Sequence, residues 1–94
     1  VKYAFSGNMA GFYQKVKDGI NNNWPVISPS RVHYNNDGHF WVIVGYSDAW
    51  DVANSTLYVR NVAQQYPTNS DYDMTFSVQN FFNGTVQGQL MIIK

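Results

Sequence analysis

A chain of 94 residues is one domain or part of one, and at that size it buries only about 60 to 65% of the surface its unfolded form exposes. Six Lys and Arg balance six Asp and Glu, so no basic field exists to draw nucleic acid or an anionic membrane. There is no cysteine, which excludes a disulfide and a thiolate nucleophile or ligand from this chain, and no apolar run approaches the ~20 residues of a membrane span.

Met9, Phe12, Tyr13, Val16 and Ile20 fall on one stripe at helical spacing, with Gln14, Lys15, Lys17 and Asp18 on the other side. This predicts a helix that Ser6 or Asn8 caps and that ends by Asn22, where Gly19 and Asn21 to Asn23 supply residues tolerant of a left-handed stop. Trp24 to Ser28 reads as a short strand with Pro25 at its entry, where a missing ladder donor matters least, and Pro29 closes it. Ser30 to Gly38 is polar and turn-forming, a surface loop ending in the tight turn Asn35-Asn36-Asp37-Gly38.

Gly38-His39-Phe40-Trp41-Val42-Ile43-Val44-Gly45-Tyr46 follows, and the rest of the chain is organised around it. From Phe40 to Val44 both alternating faces are apolar, the pattern of a strand inside a sheet covered on both sides. Ser47 to Asn54 is a second polar connection. Ser55 to Val62 resumes a strand, with Leu57, Val59 and Asn61 on one face and Tyr58, Arg60 and Val62 on the other, and the two strands are expected to pair as antiparallel neighbours. Ala63 to Asp73 is a polar loop long enough to form a wall or carry function. Ser77 caps a short helix over Val78 to Asn83 that Gly84 stops, and Val86 to Ile93 is the last strand. The order α-β-β-β-α-β makes an α+β domain around an antiparallel sheet.

His39 enters the core from the edge of its strand. Packing and hydrogen bonds can hold it there while the ring meets a cleft, which suits proton transfer near neutral pH. Equally, it can be a core histidine with both nitrogens satisfied. Asn61 stands where the next strand leaves the sheet, and pairing of the two strands can bring it to His39. A histidine base needs a group on its other nitrogen to fix tautomer and ring position, and Asn does this without adding charge; alone, Asn61 is also an ordinary strand end.

The succession of an amphipathic helix, Asn23-Trp24-Pro25-Val26-Ile27, the Gly38 to Tyr46 stretch and Leu57-Tyr58-Val59-Arg60-Asn61 resembles the C-terminal half of a papain-like cysteine peptidase. It is closest to the bacterial branch of double-glycine leader peptidases and their relatives. The resemblance covers most of the chain and implies a papain-like half-domain with His39 as general base and Asn61 as its orienter. Thr75-Phe76-Ser77 with Phe81-Phe82 is similar to the late helix that packs behind them. The family's cysteine nucleophile, at the start of an upstream helix, and the oxyanion-hole Gln before it have no counterpart here. The chain is therefore expected to be a fragment whose partner is an N-terminal lobe carrying the cysteine, a degenerate homologue that binds without cleaving, or an incomplete piece. A peptide or protein is the implied substrate, and an acyltransferase would show the same base and orienter.

The competing class is a non-catalytic module in which Trp24, Trp41, Trp50 and the tyrosines line a groove for a peptide or glycan; Trp41 is expected in the core and Trp50 exposed. Asp48 or Asp51 would replace Asn61 as orienter in a different register. His33, Asp37 and His39 straddle a loop and read as ordinary residues, so neither a metal nor a cofactor is expected. A half-domain should expose the apolar wall its other lobe would cover, and self-association is expected of such a surface. Abundant aromatics, Asn, Ser and Gly with little Lys or Glu fit an extracytoplasmic or secreted bacterial protein.

Overall fold

The apolar stripe forms helix α1 (Met9–Asn21), which buries Phe12, Tyr13 and Val16. Asn8 is its cap: in extended backbone, its side chain accepts the Gly11 N–H at 2.6 Å. At the other end Asn23 takes the left-handed conformation, with φ 60°. The Trp24 N–H then reaches the Gly19 carbonyl at 2.8 Å and the Asn23 N–H reaches that of Ile20 at 3.0 Å, a Schellman-type closure. Gly19 is not the stop. It lies inside the helix, where a Cβ would strike Val26, so its bareness sets how closely α1 approaches the sheet.

The computed structural model describes residues 2–5, 7–32, 40–61 and 73–94. Its strands are β1 (Lys2–Phe5), β2 (Val26–Pro29), β3 (Phe40–Ser47), β4 (Thr56–Asn61), β5 (Asp73–Ser77) and β6 (Gln89–Ile92). They form one antiparallel sheet in the order β1-β6-β2-β3-β4-β5. Helix α2 (Val78–Asn83) follows β5, with the Ser77 hydroxyl accepting the Asn80 N–H at 3.1 Å. The α+β architecture, with an N-terminal helix and a short late one, is the one the sequence pattern implies. β1 and β5 are additional. Both are short edge strands that exist through pairing with β6 and β4, a non-local cause that four or five residues of local pattern do not display. Val86, expected to open the last strand, is 64% exposed in the turn before it.

Both helices lie on the same face of the sheet. The Phe12 and Phe81 rings stack with centroids 6.0 Å apart, and one cluster joins them to Val26, Trp41, Ile43, Leu57, Val59 and Leu90. The expectation of a sheet covered on both sides is therefore corrected. Trp41 and Ile43 are buried under the helices, but Phe40 and Val44 on the opposite face are 58% and 50% exposed. An unbroken apolar run looks alike whether its second face meets helices or nothing, because periodicity reports hydrophobicity and not coverage.

A β-bulge interrupts β3. Ile43 pairs with Val59 and Gly45 with Tyr58, leaving Val44 as the extra residue. The alternation is advanced by one, so Tyr46 returns to the helix side three residues after Ile43. There its ring meets Tyr13 edge-on at 5.9 Å, and its hydroxyl donates to Asn21 Oδ1 at 2.9 Å.

Candidate functional site

The β3–β4 register determines which residues share the end of the hairpin. Trp41 stands opposite Asn61, Ile43 opposite Val59 and Ser47 opposite Thr56. Asn61 is thus the last residue of β4, set against the second residue of β3, and His39 immediately precedes β3 in the chain. His39 itself lies outside the described residues, as do His33, Asp37 and Asp71, and of Asn61 the backbone is described. The expected side-chain contact between His39 and Asn61 falls outside them too.

Beside this end the scaffold is tightly fastened. Trp41 is fully buried, its indole N–H donates to the Ser30 carbonyl at 3.3 Å, and its ring meets Phe76 edge-on at 5.3 Å. The Ser30 hydroxyl donates to the Phe81 carbonyl at 2.9 Å and accepts the Val32 N–H at 3.2 Å. The Arg31 N–H donates to the Gly84 carbonyl at 2.9 Å. A Cβ on Gly84 would strike the Ser30 hydroxyl and lie 2.7 Å from the Val32 nitrogen, so glycine is required for this crossing and not for a left-handed stop; its φ is −86°. Ser30, expected to begin a surface loop, is instead buried and pins the chain to the end of α2. Its small hydroxyl can satisfy a carbonyl and an N–H at once, which composition does not reveal.

Asp48 and Asp51, the substitute orienters, sit past the opposite end of the hairpin, beyond the Ser47–Thr56 pair. The Tyr13 hydroxyl donates to Asp48 Oδ1 at 2.7 Å, and the Lys17 ammonium lies 3.5 Å from the same oxygen and 4.6 Å from the Tyr13 ring centroid. Burial, and then the hydrogen bond to Asp48, push the Tyr13 phenol up to about 12. The Tyr13 hydrogen bond, helped by the Lys17 charge, holds the Asp48 carboxyl below its ordinary range. Asp51 accepts both the backbone and the side-chain N–H of Asn54 at 2.9 Å and so closes the loop. Neither carboxylate is available to orient a residue at the β3 start. The Tyr13–Asp48 pair escapes a reading of the helix stripe; its one signal is that a buried tyrosine needs a partner for its hydroxyl.

Trp50, on that loop, is 86% exposed, as its polar surroundings suggest. Trp41, Tyr13, Phe12 and Phe81 are core residues and line no groove. A groove of about 350 Å³ does open between the end of α1 and β3, lined by Ile20, Asn23, Trp24, Pro25, Val42, Ile43 and Val44. Its cause is geometric: β2 begins only at Val26, opposite Ile43, and beyond that pair the Val44 bulge has no strand beside it. Among the described residues no three His, Cys, Asp or Glu side chains converge as metal ligands, and no helix is long and apolar enough to cross a membrane.

In comparisons with protein-family models, with curated proteins and with solved structures, nothing matches this chain.

Proposed function

We propose that this chain is the base-bearing half of a papain-like cysteine peptidase, similar to the bacterial double-glycine leader peptidases and exported with a peptide substrate outside the cytoplasm. His39 is the general base and Asn61 its orienter. One observation carries the reading: the register sets Asn61 opposite Trp41, two residues after His39 in the sequence, so the end of β4 and the start of β3 share one edge of the sheet. The buried Trp41–Ser30–Phe81 fastening supports it, since a base must be held by a rigid frame to keep its geometry.

In this reading a partner lobe brings a cysteine thiol to the β3 start. His39 takes the thiol proton, and the thiolate attacks the peptide carbonyl carbon. The tetrahedral adduct collapses with C–N cleavage as His39 protonates the departing amine, and water, deprotonated by the same imidazole, releases the acyl group from sulfur. Asn61 holds the other ring nitrogen throughout. The chain alone, having no cysteine, cleaves nothing.

The test is nitrogen NMR of the imidazole in the 94-residue chain. His39 is expected in a single tautomer when neutral, and Asn61→Ala should mix the tautomers and move its pKa while leaving His33 unchanged. Identical His39 spectra in both chains would overturn the pairing. Cleavage of unfolded peptides by the pure chain, unaffected by chelators, would overturn the reading as a half-enzyme. The second reading, a non-catalytic module, is favoured by Trp50: a loop fastened by Asp51, Asn54 and Ser55 displays a large aromatic to solvent, as a recognition surface would.

A further inference from the structure

The uncovered face of the sheet carries a knob and a notch on one strand. The knob is Phe40, 58% exposed at the start of β3. The notch is the groove whose floor includes Val42 and Val44 and whose wall is Trp24. Around them the face is apolar: Ile27 and Pro29 on β2, Met91 on β6 and Tyr58 on β4 share it. Among its described side chains the one charge is Arg60, which is already engaged.

We propose that two copies of this chain associate through this face, sheet against sheet, with each Phe40 seated in the other copy's groove. The inference stands apart from the peptidase reading. A two-fold interface requires that one patch carry both a projection and its receptacle at matched offsets from the axis. Phe40 and Val44 are four residues apart, about 13 Å along a strand, with Val42 midway. An axis lying between the two sheets, perpendicular to β3 and passing at Val42, carries Phe40 onto the partner's Val44 and the groove beside it. A foreign partner would need the notch alone; the knob beside it is what a second copy uses. The face brings no like charges together, and the chain's net charge is zero, so long-range repulsion is also absent.

Six strands ~4.8 Å apart and about five residues long present roughly 500 Å² of flat area per copy. Doubled, this reaches the roughly 1,000 Å² at which specific interfaces begin, so the dimer is weak and concentration-dependent, with a dissociation constant no tighter than about micromolar.

Sedimentation equilibrium from about 1 µM to 1 mM tests this. The mass of the 94-residue chain should rise toward twice the monomer value, and Phe40→Asp should weaken association more than tenfold. Val44→Asp should do the same, which covers the case of one variant failing to fold. Trp50→Ser, beyond the end of the hairpin, should change nothing. Because the chain has no cysteine, Val42→Cys gives a geometric readout: next to the axis it meets its own copy and should form a disulfide-linked dimer under mild oxidation, whereas Trp50→Cys should not. A monomer at every loading, association indifferent to both aspartates, or a Val42→Cys chain that fails to cross-link would overturn the proposal. So would a longer native polypeptide that stays monomeric with this face covered by its own segment.

Discussion

Trp41 and Phe40 are neighbours in the chain, comparable in size and set on one strand, yet Trp41 is fully buried and Phe40 is 58% exposed. The difference comes from what lies across the sheet. On one face α1 and α2 deliver Phe12, Val16, Val78 and Phe81 into a continuous core; on the other, nothing among the described residues covers Phe40, Val42, Val44 and Tyr58. An apolar side chain contributes to folding only when something excludes water from it. The first face therefore holds the domain together, and the second is surface offered to a partner.

The sharpest way to break this comparison is to truncate both residues. Trp41→Ala should cost about 3 to 5 kcal/mol, from the lost burial and the cavity under α2, a large part of the stability of a domain this small. Phe40→Ala should change monomer stability by no more than about 0.5 kcal/mol. Urea melts of the two variants at a loading where the chain is monomeric decide the matter, and equal costs would mean the second face is covered.

Gly84→Ala should come next, at about 1 to 3 kcal/mol, since the new methyl must displace Ser30 or the Arg31–Val32 backbone. The expected companion is a change in near-ultraviolet dichroism from Trp41, whose indole is bonded to Ser30. A silent Gly84→Ala would show that the Ser30 fastening is not tight.

The smallest effect belongs to the far end of the hairpin. Tyr13→Phe removes one hydrogen bond to a largely exposed carboxylate and should cost about 1 kcal/mol. Its pH signature is more specific than its size. The Tyr13 phenol titrates near 10 in the unfolded chain and is raised to about 12 in the fold, so its contribution is complete below pH 10 and is lost as pH climbs from 10 towards 12. Asp48 is shifted the other way: its contribution is present above the ordinary carboxylate range and is lost as pH falls through its lowered folded value. Stability measured against pH should flatten at both ends in Tyr13→Phe. A variant that keeps the alkaline slope would assign it to another tyrosine.

Local pattern was enough for much of this protein. The spacing of Phe12, Tyr13 and Val16, the cap at Asn8, and Ser77 with Asn83 bounding α2 are short-range matters, because caps and helical periodicity depend on residues within one or two turns. So were the α+β class, the buried Trp41 and the exposed Trp50. As for the candidate site, His39 and Asn61 were legible as residue types at strand ends, while Asp48 and Asp51 remained open as substitutes until the pairing of Trp41 with Asn61 set them at the wrong end of the hairpin.

What only the tertiary structure decided depends on contacts far apart in sequence. Edge strands β1 and β5 take their form from partners elsewhere in the chain. The Val44 bulge, which returns Tyr46 to the helices and leaves the groove beside Trp24, is a mismatch between two strands that neither records alone. Ser30 and Gly84 owe their identities to one crossing between segments more than fifty residues apart. Which side of an apolar strand meets solvent is likewise settled by where the helices pack, because hydrophobicity is a property of the residue and burial a property of its neighbours.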